Sequence, residues 1–312
     1  MVRVSGKVGD MDRQTSMVVS EAFDPLSDCE GVIELAIPTV TRPYRARLAS
    51  AVISSARASG YRVNVVAYQD DYGLSANDYL ETRRGACDGM LLYLVGGDEV
   101  NPGAFRQPFP IVCLGLCPTS GIVDQVLADN VSDARNITDL VIRKGSRRLV
   151  LIGAQNEFDG RTVDESVRSR GWDRVRGVLE ACREHGIALD PRLIGTTGYE
   201  WTIGAGYSAM MQVAASGVEF DGVICMDDPL AIGAVFALKE LGRSIPDDVQ
   251  VVGFDNIYDA AHMVPSLTTV DANLEWITST AVDLLARRMH DPAGEPLCFQ
   301  RESPILLRQS TR

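Results

Sequence analysis

The chain has 312 residues, 46% hydrophobic and 23% charged, which is close to the soluble globular average and excludes disordered and fibrous classes. The length fits about two domains. Forty-two acids against thirty bases leave a formal charge of −12, which repels phosphate backbones unless a local basic patch overrides it.

In chain order, Met1–Cys29 is polar, with Gly6, Gly9 and Pro25 but no apolar periodicity, so residues 1–30 are expected to be a flexible leader. They have no apolar h-region, and the longest apolar runs, Gly89–Val95 and Gly31–Pro38, fall far short of the roughly 18–20 residues of a membrane span. A cytosolic chain with no membrane partner is expected. Val32–Ile37 is a continuous apolar run that suits a buried parallel strand. Pro43 suits the first position of a helix that Gly60 would end. Strand Tyr61–Tyr68, helix Ser75–Arg84, strands Cys87–Leu94, Ile111–Leu114 and Val126–Ala128, and helix Asp133–Lys144 follow. The pattern then restarts: strand Arg148–Ile152, helix Trp172–His185, short strand Arg192–Ile194, helix Ala205–Ser216, strand Gly222–Cys225, helix Pro229–Leu241, strand Val249–Phe254 and helix Asn273–Met289. Such alternation predicts an α/β protein of two doubly wound parallel sheets. Ligands bind beyond the carboxyl ends of such strands, here facing one another across a cleft.

Support for enzyme chemistry is thin. Gly204-Ala205-Gly206-Tyr207-Ser208-Ala209 matches G-x-G-x-x-A, but no buried strand precedes it, so small residues opening a helix are the simpler reading. The three histidines (His185, His262 and His290) have no partner base, and the seven cysteines read as reduced thiols, with no second pair beside Cys113 and Cys117 to complete a zinc site. No metal, catalytic residue or cofactor is expected. The basic clusters at Arg83-Arg84, Arg143–Arg148 and Arg287-Arg288 are too mixed for nucleic acid. Asp227-Asp228 and Asp255-Asn256 each follow a hydrophobic strand on the ligand-binding side. Asp228, before Pro229, reads as a helix N-cap, whereas Asp255 opens no evident helix and is a site candidate. Trp201 and Arg174 fall in or beside cleft loops, where an aromatic face can grip a sugar ring and a guanidinium can bind hydroxyls or carboxylates.

Three blocks carry a resemblance: Phe220–Ala234 (FDGVICMDDPLAIGA), Ile245–Asn256 (IPDDVQVVGFDN) and Pro265–Val270 (PSLTTV), in that order and spacing. They resemble the LacI/GalR family of transcriptional regulators, and Lys144–Gly153 and Arg174 before Gly177 are similar to further family segments. The resemblance covers residues 31–312 and implies a periplasmic-binding-protein-like type I fold. Its three crossovers would give one subdomain over 31–143 plus 273–294 and another over 146–270 plus 297–312. It implies a small-molecule effector, a sugar or polyol, with Arg174 and Asp255 clamping hydroxyls from two sides and Trp201 packing on the ring. It adds Asp227, Tyr44 and Arg42 as ligand-binding candidates, Asp227 standing where many members carry asparagine. Arg174→Ala is expected to abolish the ligand response and leave the fold intact. A homodimer is implied, with operator DNA bound only through a helix-turn-helix headpiece, of which residues 1–30 show no sign. The alternatives are a headless sugar-binding protein without a DNA role and, less supported, a nucleotide-cofactor enzyme.

Overall fold

Gly31–Ile37 forms β1, whose Ile33, Leu35 and Ile37 pack against Leu48, Val52 and Ala56 of α1 (Pro43–Ala58). The structure, a computed structural model, describes residues 31–69, 73–83, 87–95, 100–115, 119, 121–161 and 169–312, so the expected leader lies outside it. The first half continues as β2 (Tyr61–Ala67), α2 (Ala76–Thr82), β3 (Gly89–Tyr93), β4 (Ile111–Leu114), β5 (Asp124–Ala128) and α3 (Asn130–Arg143). The second runs β6 (Leu149–Ala154), α4 (Arg170–Glu184), β7 (Ile194–Thr196), α5 (Ile203–Ala215), β8 (Gly222–Cys225), α6 (Asp228–Glu240), β9 (Gln250–Asp255), α7 (Tyr258–His262) and β10 (Thr268–Asp271). The chain then returns through α8 (Leu274–His290) and β11 (Cys298–Arg301) and ends with β12 (Ile305–Leu306).

Two sheets result. The first has the order β2-β1-β3-β4-β5-β11 with every pair parallel, and the second the order β7-β6-β8-β9-β10-β12, parallel except for the β10–β12 pair. Both are α/β layers with helices on two faces. In the first, α1 and α8 cover one side, while Ala36, Met90 and Leu92 face a second cluster with Tyr79, Leu80 and Phe105. Burial on both faces is why β3 reads as an unbroken apolar run, while the run of β1 is broken at Glu34, which is buried against Arg83 Nη2 at 2.6 Å.

The domain boundary expected at residue 297 is corrected by the pairing of β11. Cys298–Arg301 lies parallel to β5 in the first sheet, and only β12 joins the second. Asp124 fixes this edge, accepting from the Leu297 amide at 2.7 Å and from Arg288 Nε at 2.7 Å. All four β11 residues are exposed, so burial leaves no apolar period to mark the strand. The chain therefore crosses between sheets after β5, β10 and β11. The crossovers lie side by side: Asp129 N donates to Arg301 O (2.9 Å), Asp271 N to Pro304 O (2.8 Å) and Ser303 N to Asp133 Oδ1 (2.6 Å).

The G-x-G-x-x-A segment sits in the first turns of α5, capped by the Thr202 hydroxyl. A Cβ on Gly206 would lie 2.2 Å from Leu230 O, and one on Gly233 of α6 would lie 2.1 Å from Ile203 O. These two glycines let the α5 and α6 backbones touch, a packing role without any phosphate.

Candidate functional site

The carboxyl ends of both sheets open onto one cavity of about 420 Å³. It lies where strand order reverses, between β1 and β3 in one sheet and β6 and β8 in the other, the place such folds hold ligands. Arg42, Tyr44 and Tyr93 line it from the first half, Trp201, Asp227, Asp255, Arg170 and Arg174 from the second, and Asn130 and Asp133 from a crossover. All six residues singled out in the sequence thus line a single cavity.

Arg174 is held on α4, whose N-terminus is capped by Ser169 accepting from Trp172 N at 3.1 Å. Its guanidinium lies 4.3 Å from the Phe254 ring centroid and spends its donors on three partners. Nε reaches Asn130 Oδ1 at 3.0 Å, Nη2 reaches Asp255 Oδ1 at 2.9 Å, and Nη1 donates to the Met226 carbonyl. Arg174 and Asp255 are 6% and 2% exposed. Both belong to the second half and face one another directly, so the expected clamp from two sides is corrected to a paired floor on one wall. Burial works against the Asp255 charge, but Arg170 and Arg174 outweigh it and hold this carboxyl below the usual carboxylate range.

Backbone geometry fixes the same corner. Asp255 and Asn256 have φ of 96° and 50°, in the left-handed region that side chains of this kind adopt at a cost. Arg47 of α1 crosses the cleft to donate to both carbonyls, at 2.7 Å to Asp255 O. Arg42, the N-cap residue of α1, also crosses it, donating from Nη1 to Trp201 O at 2.9 Å. Three residues beyond Asp255 the short helix α7 does open, without a side-chain cap.

The N-cap expected at Asp228 is formed by Asp227, which also lines the cavity. Asp227 is the N-cap of α6, accepting from Leu230 N at 2.9 Å, and Asp228 is already in its first turn. The fully buried Asp228 instead accepts from Ile257 N (2.9 Å) and Thr269 Oγ1 (2.6 Å), tying β9 and β10 to α6. Pro229 occupies the second helical position rather than the first, which shifts the cap by one residue. Burial, then the Asp255 charge, pushes the Asp227 carboxyl up to about 7 against 3.8 in its ordinary setting. The folded state therefore holds this proton more tightly, so the Asp227 contribution to stability falls as pH rises from about 4 to about 7. Asparagine caps helices equally well and does not titrate. The melting temperature of wild type minus that of Asp227→Asn should drop by several degrees between pH 5 and 7.5. A difference constant across that range would contradict the assignment.

Arg170 escaped the sequence reading. It lies one turn before Arg174, with its guanidinium between the rings of Tyr44 (5.0 Å) and Trp201 (5.2 Å) and 3.7 Å from Asp255 Oδ2. The i, i+4 spacing to Arg174 was the available signal, but the helix was expected to begin two residues later. Trp201 is packed by this cation, and its buried Nε1 has no hydrogen-bond partner among the described residues. Asn130 and Arg45 were also missed, lying at an α3 end read as loop and in a helix read only for its apolar face.

Residues 138–311 match the periplasmic binding protein-like domain family. The crystal structure of a LacI-type transcription regulator from Bifidobacterium animalis subsp. lactis is 30% identical, covering 90% of this chain and all of that one, with a TM-score of 0.81. The transcriptional regulator GalS of Salmonella typhimurium is 32% identical over 234 residues, 71% of this chain and 65% of its own length. A LacI family regulator from Arthrobacter in complex with lactose is 24% identical and covers 90% of this chain and 99% of that one, with a TM-score of 0.77, a likeness of fold alone. A two-sheet ligand-binding fold and these likenesses define a sensor class, and the chain belongs to the periplasmic binding protein-like domain family in its LacI/GalR-type regulator branch. Its relatives are bacterial transcriptional regulators and not enzymes. Among the described residues no helix is long and apolar enough to cross a membrane.

Proposed function

We propose that this chain is the effector-sensing and dimerisation portion of a LacI/GalR-type regulator and binds a sugar or polyol between its two sheets. The observation that carries this reading is the composition of the single cleft cavity. Aromatic faces from both halves (Tyr44, Tyr93 and Trp201) stand beside buried, oriented polar groups (Arg174, Asp255 and Asn130). Ring faces bury the C–H surface of a polyol, and fixed donors and acceptors match its hydroxyls. A lactose complex of a similarly folded Arthrobacter regulator agrees with that chemistry.

Arg42 and Arg47 tie the two walls together across the cleft. A ligand touching both walls favours the arrangement in which they are close, and it shifts the equilibrium only by its differential affinity for that arrangement. Movement of one sheet against the other would then reach operator DNA through a joined DNA-binding headpiece.

The dimerisation surface is read from the second half, where Phe236 (50% exposed), Leu241 and Val264 stand out from α6 and the loop beside it. Lys239 Nζ holds the Val264 carbonyl against this helix. Exposed large apolar side chains grouped in this way mark an interface. Light scattering after size exclusion should give a dimer for the wild type and a monomer for Phe236→Glu, with the circular dichroism spectrum of the folded chain retained. A dimeric variant would move the interface elsewhere.

The ligand reading is tested by a thermal-shift panel of pentoses, hexoses, disaccharides, polyols, nucleobases and NAD(P). A binder at 100 times its Kd adds about 2.7 kcal/mol, or several degrees. A sugar or polyol should produce that shift in the wild type and much less in Trp201→Ala. A response to NAD(P) or to nucleobases alone would overturn it.

A further inference from the structure

The charges around the cavity are unevenly distributed. Asp255 is paired with Arg174 and Arg170, Asp227 caps α6, Asp133 accepts from Ser303, and Asp271 accepts from Asn256 and Asn273. Each of these carboxylates is occupied, and all lie on the second half or at the crossovers. On the opposite wall stand Arg42 and Arg45, and neither has an ion pair among the described residues. Arg42 spends one N–H on the Trp201 carbonyl, and Arg45 only lies 6.0 Å over the Tyr93 ring. Burial and then, after the opposing pull of Tyr93, the charges of Arg170 and Arg42 hold the Arg45 pKa below the ordinary guanidinium value. Both are half-buried, and guanidiniums set beside others of their own sign repel one another unless an anion joins them.

A second observation comes from the helix termini. Of the helices that begin at the cavity, α3, α4 and α6 are capped by Asp129, Ser169 and Asp227, and α7 and α8, which lack a side-chain cap, carry Asp259 and Glu275 in their first turns. α1 begins at Arg42 with neither a side-chain cap nor an acid in its first turn, and its residues Pro43, Tyr44 and Arg45 line the same cavity. Its positive end therefore adds to the two guanidiniums instead of being neutralised by the protein.

Resting on the proposed sugar-binding role of this cavity, we infer that the ligand carries an anionic group, a carboxylate or a phosphate, seated on Arg42, Arg45 and the first turn of α1. The hydroxylated body of the ligand lies toward Arg174, Asp255 and the aromatic rings. This orients the ligand across the cleft, with its charge on the first half and its hydroxyls on the second, so one molecule engages both walls.

The test is calorimetric titration of the whole chain with D-glucose and D-galactose against D-glucuronate, D-galacturonate, D-gluconate and the two hexose 6-phosphates. At least one anion should bind about 10- to 100-fold more tightly than its neutral parent, the range of one charge-assisted contact. Preference for the sugar acids would assign a carboxylate, and preference for the 6-phosphates a phosphate. Arg45→Gln should lower affinity for the preferred anion at least tenfold and that for the neutral parent far less, with melting little changed because Arg45 makes no ion pair. A neutral sugar that binds as tightly as its anions, or a preference that survives in Arg45→Gln, would overturn the inference and leave the sugar-binding cleft standing. No binding by any of these sugars, neutral or charged, would overturn both.

Discussion

Arg174→Ala is expected to destabilise the chain by about 3–5 kcal/mol, lowering the melting temperature by roughly 10 °C, and to abolish the ligand response. The residue is buried at 6% exposure, and its loss strands Asp255, the Met226 carbonyl and Asn130 in a setting that water cannot readily reach. Arg170, at 3.7 Å from the other Asp255 oxygen, offsets part of the loss. An arginine near a helix start that only offers a donor to the cleft could be removed without harm to the fold, which is what the sequence suggested for this position. The structure corrects that expectation, because the same guanidinium joins α4, β9 and the first crossover. Arg174→Lys should recover little of the loss, since an ammonium cannot serve three directions with one planar fork. Urea unfolding of the two variants checks this, and a midpoint within error of wild type for Arg174→Ala would refute it.

Gly233→Ala should cost more than about 3 kcal/mol although it adds a single methyl group. The added Cβ would meet Ile203 O at 2.1 Å, Tyr207 N at 2.5 Å and Gly206 C at 3.0 Å, all of them backbone. No side-chain rotation relieves such contacts, so α5 and α6 must separate and lose packing along their length. The higher helix propensity of alanine, worth about 1 kcal/mol, opposes this without cancelling it. Gly204→Ala is the control: a Cβ there meets nothing within 4 Å, so its stability should match or slightly exceed wild type. Equal stability of the two variants would remove the close helix contact from the account.

The strands buried on both faces were legible because burial leaves an unbroken apolar run, as in Gly89–Tyr93 and Gly222–Cys225. Edge elements were not: β11 is exposed throughout and β12 has two residues, and neither imposes a period on the sequence. This is why the third crossover was placed at the wrong residue. At the cavity, Asp255 was legible from strand topology and Arg174 from its motif, but their mutual pairing depends on a sheet–helix approach that spacing does not encode. Arg170 was hidden by a late helix start, since the polar residues before Trp172 carry no apolar signal. The move of the N-cap from Asp228 to Asp227 followed from a one-residue shift of Pro229 within the first turn, a distinction that composition cannot make.

The central claim is that ligand sits between the two sheets and engages both. Hydrogen exchange measured with and without the sugar or sugar acid that raises the melting temperature most tests this directly. Exchange should slow in the first turn of α1, in the first turns of α4 and α6, and around Asp255–Tyr258, with the outer ends of the sheets unchanged. Protection confined to one half, or lying away from these segments, would contradict it.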